Sequence, residues 1–166
     1  MRIYLPASEV LLRALAADGA LGPAPLTAFA VTPGLREWYV DDDIEELEYA
    51  ASNEAARASL RLLSADPESS RRRVVVAADV PDELVEIRDD LDRGVVRVAE
   101  PVPMAACASI HCDDEEAEPT VAVAAERIDA ADLGDTDAEF LVGEAEGYEL
   151  SWYATQELPD LLDSIG

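Results

Sequence analysis

The order of apolar patterns along the chain predicts an α+β fold: a single domain over residues 1–166, with a mixed or antiparallel sheet covered by helices. Three observations carry this expectation. Residues 43–64 place apolar side chains at three- and four-residue spacing, the period of a helix. Val74-Val75-Val76-Ala77-Ala78 is an unbroken apolar run of strand length, suited to a central strand covered on both faces. Strand, helix, strand, then strand, helix, strand is the order of a ferredoxin-like sandwich, here with insertions.

Taken in order, Arg2 to Leu5 reads as a first or edge strand closed by Pro6. Ser8 is placed to cap a helix with Val10, Leu11, Leu12 and Leu15 on its apolar face and Gly19 at its end. A loop at Gly22, Pro23 and Pro25 leads to a strand over Thr27–Thr32, and Pro33 suits the first turn of a short helix through Trp38. Asp41, Asp42 and Asp43 supply N-cap candidates for the long helix, and Glu45 and Glu46 reinforce the negative charge at its positive end. Its apolar stripe is expected to comprise Ile44, Leu47, Ala51, Ala55, Ala58 and Leu62, widened by Tyr49, Ala56, Leu60 and Leu63. Asp66-Pro67 stops it.

Beyond the Val74 run, Leu84–Arg88 and Val95–Ala99 are spaced as a hairpin. Pro101 and Pro103 precede a strand over Met104–Cys112. An acidic run at 113–118 introduces an Ala/Val helix to about Ala131, followed by a short helix near 136–142. Tyr148–Tyr153 reads as the last strand, and Thr155 or Gln156 begins a terminal helix.

Composition narrows the function. The formal net charge is −25, and fourteen carboxylates against one cation, Arg127, lie between Asp113 and Glu149. A surface this negative repels phosphate backbones and anionic lipid, so neither nucleic acid nor membrane is an expected partner. Apolar residues make up 49% of the chain, which separates it from disordered acidic sequences. Lysine is absent and all twelve cations are arginine, a pattern that codon bias in a GC-rich genome explains better than adaptation to brine, because the acids are clustered. The N-terminus carries no apolar signal region, and two reduced cysteines suit a cytoplasmic protein. On a strand, Cys107 and Cys112 would lie roughly 16 Å apart and on opposite faces, out of disulfide reach.

Few residues offer chemistry. His111, the one histidine, would share a strand face with Ala105, Cys107, Ser109 and Asp113. That row suggests a Cys/His/Asp cluster. However, Cβ atoms two residues apart stand about 7 Å from each other, so hydrogen bonds within the row are not expected. A partly buried histidine at a strand end is the simpler expectation. No set of metal ligands, phosphate loop or dinucleotide motif occurs, so no cofactor is expected. Arg71-Arg72-Arg73 reads as a solvated strand entrance. Two segments concentrate the aromatics: 29–49 and 149–162. From them, with His111, come the candidate ligand-binding residues Arg36, Trp38, Tyr39, Glu48, His111, Trp152 and Gln156. The competing expectation makes the tryptophans and tyrosines core anchors with their polar ends satisfied.

Thr32-Pro33 with Leu35-Arg36-Glu37-Trp38-Tyr39, Ile44-Glu45-Glu46-Leu47-Glu48-Tyr49-Ala50-Ala51 and Trp152-Tyr153-Ala154-Thr155-Gln156-Glu157 resemble a family of actinobacterial proteins of about this length, over nearly the whole chain. The resemblance implies a cytoplasmic domain and no assigned catalytic residues. The reading that follows is a non-enzymatic, acidic interaction protein engaging a basic protein partner or forming a homodimer. The alternative is a small-molecule-binding or enzymatic domain with a cleft lined by the Trp38/Tyr39, His111 and Trp152/Gln156 segments. Mimicry of nucleic acid is a third reading of the acidic stretch.

Overall fold

The computed structural model describes residues 1–39 and 43–165. Asp41 and Asp42, two of the three expected N-caps of the long helix, lie outside the described residues. Nine strands and six helices form in the order β1 (Arg2–Ala7), α1 (Glu9–Asp18), β2 (Ala20–Leu21), β3 (Leu26–Phe29), α2 (Pro33–Trp38), α3 (Ile44–Ala65), β4 (Val74–Asp79), β5 (Val85–Ile87), β6 (Val95–Val98), β7 (Val102–Pro103), β8 (Cys107–Cys112), α4 (Glu118–Asp132), α5 (Thr136–Glu146), β9 (Ser151–Ala154) and α6 (Leu158–Ile165). Those numbers are of the described residues.

Seven strands make one sheet in the order β5-β6-β3-β1-β4-β8-β9, with every neighbouring pair antiparallel, while β2 and β7 pair separately. The α+β class with an antiparallel sheet is therefore what forms. The ferredoxin-like arrangement is not. That fold interleaves two split β-α-β units. Here one such unit exists: β3 and β4 both run antiparallel to β1, which lies between them, and the helical crossover joining them carries α2 and α3. The second is missing because α4 and α5 form a helical hairpin, returning the chain to pair β9 directly with β8.

Helices cover both faces of the sheet. Ile3, Leu5, Val74, Val76, Ile110 and Cys112 face Leu12 and Leu15 of α1 and Leu158 and Leu161 of α6. On the other face Tyr4, Phe29, Val75 and Ala77 meet Ala51, Ala55 and Ala56 of α3. The far end of α3, through Leu60 and Leu63, packs on Val121, Ala124, Ile128, Ala138 and Val142 of the α4–α5 hairpin. Small side chains let these helices approach closely, as the Ala/Val content requires.

Local signals explain most boundaries. Ser8 accepts from the N–H of Leu11, and Gly19 ends α1 at φ +76°, a conformation costly for any residue with a Cβ. Thr32 caps α2 and Asp43 caps α3. Asp89 ties the β5–β6 turn to the start of α2: its carboxylate accepts from Thr32 Oγ1 at 2.6 Å and from the N–H groups of Gly34 and Gly94 at 2.9 Å each. A Cβ on Gly34 would meet Asp89 Cγ at 2.5 Å, so that glycine is required by the close approach. Ser59, buried inside α3, donates to Ala7 O at 2.7 Å and accepts from Val74 N–H at 3.1 Å, joining the ends of β1 and β4 to the helix.

Several expectations are overturned. Arg71, Arg72 and Arg73 are not a solvated entrance. Arg71 donates to the carbonyls of Leu63, Asp66 and Ser69 at the C-terminal end of α3, where a cation is favoured, and Arg72 pairs with Glu118. Arg73 is buried against a fully buried Asp113: Nε and Nη2 reach the carboxylate at 2.8 and 2.7 Å, and the Arg73 backbone N–H adds a third bond at 2.8 Å. Within the long helix, Ile44 and Tyr49 are exposed, while Ala50 and Ser59 join the buried stripe with the expected Leu47, Ala51, Ala55, Ala56, Leu60 and Leu63. The tryptophans do not anchor the core either: Trp38 and Trp152 are each 63% exposed. Met104–Ala106 is a single 3₁₀ turn, so β8 starts at Cys107.

Candidate functional site

The polar face of α3 stands over the sheet and leaves a cavity of about 610 Å³. Its floor is Tyr4 from β1 and His111 from β8. One wall is α3, where Glu45, Tyr49, Asn53 and Arg57 follow one another at four-residue spacing, with Glu48 and Ser52 beside them. The opposite wall is Glu146 at the end of α5 and Tyr148, Glu149 and Leu150 in the connection to β9. That connection is held from below, because Arg73 Nη2 donates to Tyr148 O at 2.9 Å while pairing with Asp113.

Carboxylates dominate the wall. Five glutamates (45, 48, 54, 146 and 149) face two arginines. Both arginines are already neutralised: Arg73 by Asp113, and Arg57 by Asp132, Glu139 and Glu146 at 3.2, 2.9 and 3.3 Å. Glu45, Glu48, Glu54 and Glu149 have no ion-pair partner among the described residues. Two of them accept one phenol each: Tyr4 donates to Glu48 Oε2 at 3.2 Å, and Tyr49 donates to Glu149 Oε1 at 3.3 Å. Burial, then the adjacent Glu48 carboxylate, pushes the Tyr4 phenol up to about 12. Burial, then the field of Asp92, raises the Glu54 carboxyl from its ordinary value. Burial, then the Arg2 guanidinium, lowers His111, which is therefore neutral at pH 7.

His111 Nε2 lies 2.9 Å from Ser109 Oγ, a hydrogen bond within the strand row that Cβ spacing had argued against. The imidazole is long enough to lean along the strand and close the gap. Cys107 is not on that face. Pairing of β4 with β8 slips between Ala77 and Ala78, so that Ala77 faces Ser109 and Ala78 faces Cys107, leaving Ala108 as a bulge. The slip turns Cys107 toward α1 and α6, onto the same side as Cys112, and no Cys/His pair forms. Burial pushes the Cys107 thiol up to about 11 and Cys112 to about 12, so neither is a thiolate at neutral pH.

Of the seven residues chosen from sequence, the cavity brings Glu48 and His111 together. Trp152 is opposite His111 on β9 but outside the wall. Arg36, Trp38 and Tyr39 belong to the α2 region, where the Arg93 guanidinium sits 3.6 Å above the Trp38 ring. Gln156 lines a second, mainly apolar depression of about 490 Å³ with Met104, Cys107 and Leu158. The sequence reading missed Tyr4, Glu45, Tyr49, Asn53 and Glu149. A polar stripe at four-residue spacing, flanking the apolar one on α3, was the signal available.

Among the described residues, no group of three or more His, Cys, Asp or Glu side chains is arranged to hold a metal ion, and no helix is long and apolar enough to cross a membrane. The profile of a family described as "Family of unknown function (DUF6912)" matches residues 1–162. The chain belongs to that family. Neither the curated proteins nor the solved structures give a match. The family match spans both sides of the cavity, from β1 into α6.

Proposed function

We propose that this family member is a non-enzymatic binding module whose acidic cavity receives cationic side chains of a basic protein partner. One observation carries the reading: among the described residues, four of the five glutamates on the wall lack an ion-pair partner, while both arginines there are saturated by carboxylates. Glu48 and Glu149 each use one oxygen on a tyrosine and leave the other for an incoming ammonium or guanidinium. Tyrosine faces on the wall add cation–π attraction. A protein of net charge −25 also accelerates encounter with a basic partner, in a salt-dependent way. A cytoplasmic, actinobacterial setting without nucleic-acid partners fits the arginine-only cation content and the two unpaired thiols.

Isothermal titration with an arginine-rich peptide tests this. Binding should weaken as salt rises from 20 to ~300 mM, and Glu48→Gln/Glu149→Gln should reduce it about tenfold or more. Unchanged affinity in that double variant would overturn the reading.

A second reading, acyl transfer, is favoured by one contact: a serine hydroxyl beside a neutral imidazole is a nucleophile–base pair. Ser109 is buried beneath the cavity and outside its wall. Hydrolysis of a p-nitrophenyl ester, lost in both Ser109→Ala and His111→Ala, would support that reading; absence of turnover counts against it.

A further inference from the structure

Among the described residues no strand pairs with the outer edge of β9, and the chemistry of that edge specifies what fits there. β9 ends the sheet, and β8 is the element that runs along it. In an antiparallel ladder, alternate residues turn both backbone groups toward or away from the neighbour. Ala154 turns its N–H outward, where it donates to Glu157 Oε2 at 2.7 Å. The two-residue period of the strand therefore sends the N–H and C=O of Trp152 to the same outer side. Ser151 and Tyr153 face β8, opposite Cys112 and Ile110.

Side chains around this edge are acidic. Glu157 blocks the Ala154 end, Asp114 accepts from Ser151 Oγ at 2.8 Å at the other, and Glu149 lies just before the strand. Between them the Trp152 indole is 63% exposed, on the sheet face that carries His111 and the cavity.

We propose that the basic partner docks as an extended segment added to β9 as an eighth strand of the sheet, a deepening that rests on the cationic-partner reading above. Trp152 N–H and C=O supply the backbone pairing. A basic residue directly opposite Trp152 lies over the indole, and the basic residues two positions to either side, on the same face, meet Glu149 and Glu157. Side chains on the cavity face of the added strand point toward the unpaired glutamates. Addition of a strand to an exposed edge is an established mode of peptide capture. A second copy of this chain is a poor occupant, since it would bring a net −25 against −25.

The test uses the full chain and a labelled peptide of alternating arginine and valine, read by fluorescence anisotropy. Trp152→Pro removes the outward N–H without touching the β8 ladder, and Trp152→Val removes the indole but keeps the N–H. Trp152→Pro should bind about tenfold more weakly than Trp152→Val, the loss of a backbone hydrogen bond together with the pairing it nucleates. In the unmodified protein, which needs no variant to fold, the peptide should slow hydrogen exchange at the Trp152 amide. Equal affinity of the two variants with no added protection at Trp152 would overturn edge pairing, while continued sensitivity to Glu48→Gln/Glu149→Gln would leave the cavity reading standing. No binding of the peptide to the unmodified protein at 20 mM salt would overturn both.

Discussion

Replacing Asp113 with Ala would expose how the cavity is supported. Asp113 is fully buried and its carboxylate accepts three hydrogen bonds, all from Arg73, whose side chain is 2% exposed. Ala in its place strands a guanidinium in the interior and orphans the Arg73 backbone N–H. Removing one partner of a buried pair costs about 3–5 kcal/mol. For a chain of this size that lowers the melting temperature by roughly 10 °C or more. Arg73 also holds Tyr148 O, so the α5–β9 connection that carries Glu149 should loosen and peptide affinity should fall with stability. The double replacement Arg73→Met/Asp113→Leu removes both charges together, and should recover a large part of the loss because neither ion is left uncompensated. Urea unfolding followed by far-UV circular dichroism gives the comparison, with the slope against urea held constant. A cost below about 1 kcal/mol for Asp113→Ala, or a double variant as unstable as the single one, would refute the reasoning.

Other expectations follow from the same structure. Ser59→Ala leaves Ala7 O and Val74 N–H unpaired in the interior and should cost about 1–3 kcal/mol, measurable by the same urea titration. Gly19→Ala meets no neighbour within 4 Å, so its cost should be the left-handed backbone alone, about 1–2 kcal/mol. His111 has a native pKa below its ordinary value of about 6.5, so as pH falls through 6.5 the unfolded chain takes up a proton that the native state refuses. Its contribution to stability should therefore decline from about pH 6.5 down to the lower native pKa and level off beneath it. His111→Gln should flatten that part of the profile, and identical pH slopes for the two proteins would contradict it. Thermal stability should also rise when salt is raised from 10 to ~200 mM, because screening relieves self-repulsion in a chain of net charge −25.

What the sequence made legible was local. The caps at Ser8 and Asp43, the proline opening α2, the glycine ending α1, the period of α3 and the apolar run of β4 each depend on residues within a few positions of one another. Long-range partnerships were not legible. Arg73 reads as a surface charge until Asp113, forty positions later, is found beside it. A bulge at Ala108, with no glycine to mark it, reversed the side on which Cys107 lies. Both tryptophans look like core residues by type, yet alanine, valine and leucine fill the interior closely enough that the indoles stay outside. At the candidate site, Glu48 and His111 were found from the aromatic segments and the lone histidine. The rest of the wall depended on how α3 faces β1 and the α5–β9 connection, which is set by the sheet order.

The most direct measurement of the central claim is a ¹H–¹⁵N correlation titration of the full chain with the arginine–valine peptide at low salt. The account predicts shifts concentrated at Tyr49, Asn53, Glu149 and Trp152, saturating together and reversed by added salt. Shifts spread along the outer faces of α4 and α5, with Tyr49 and Glu149 unmoved, would contradict it.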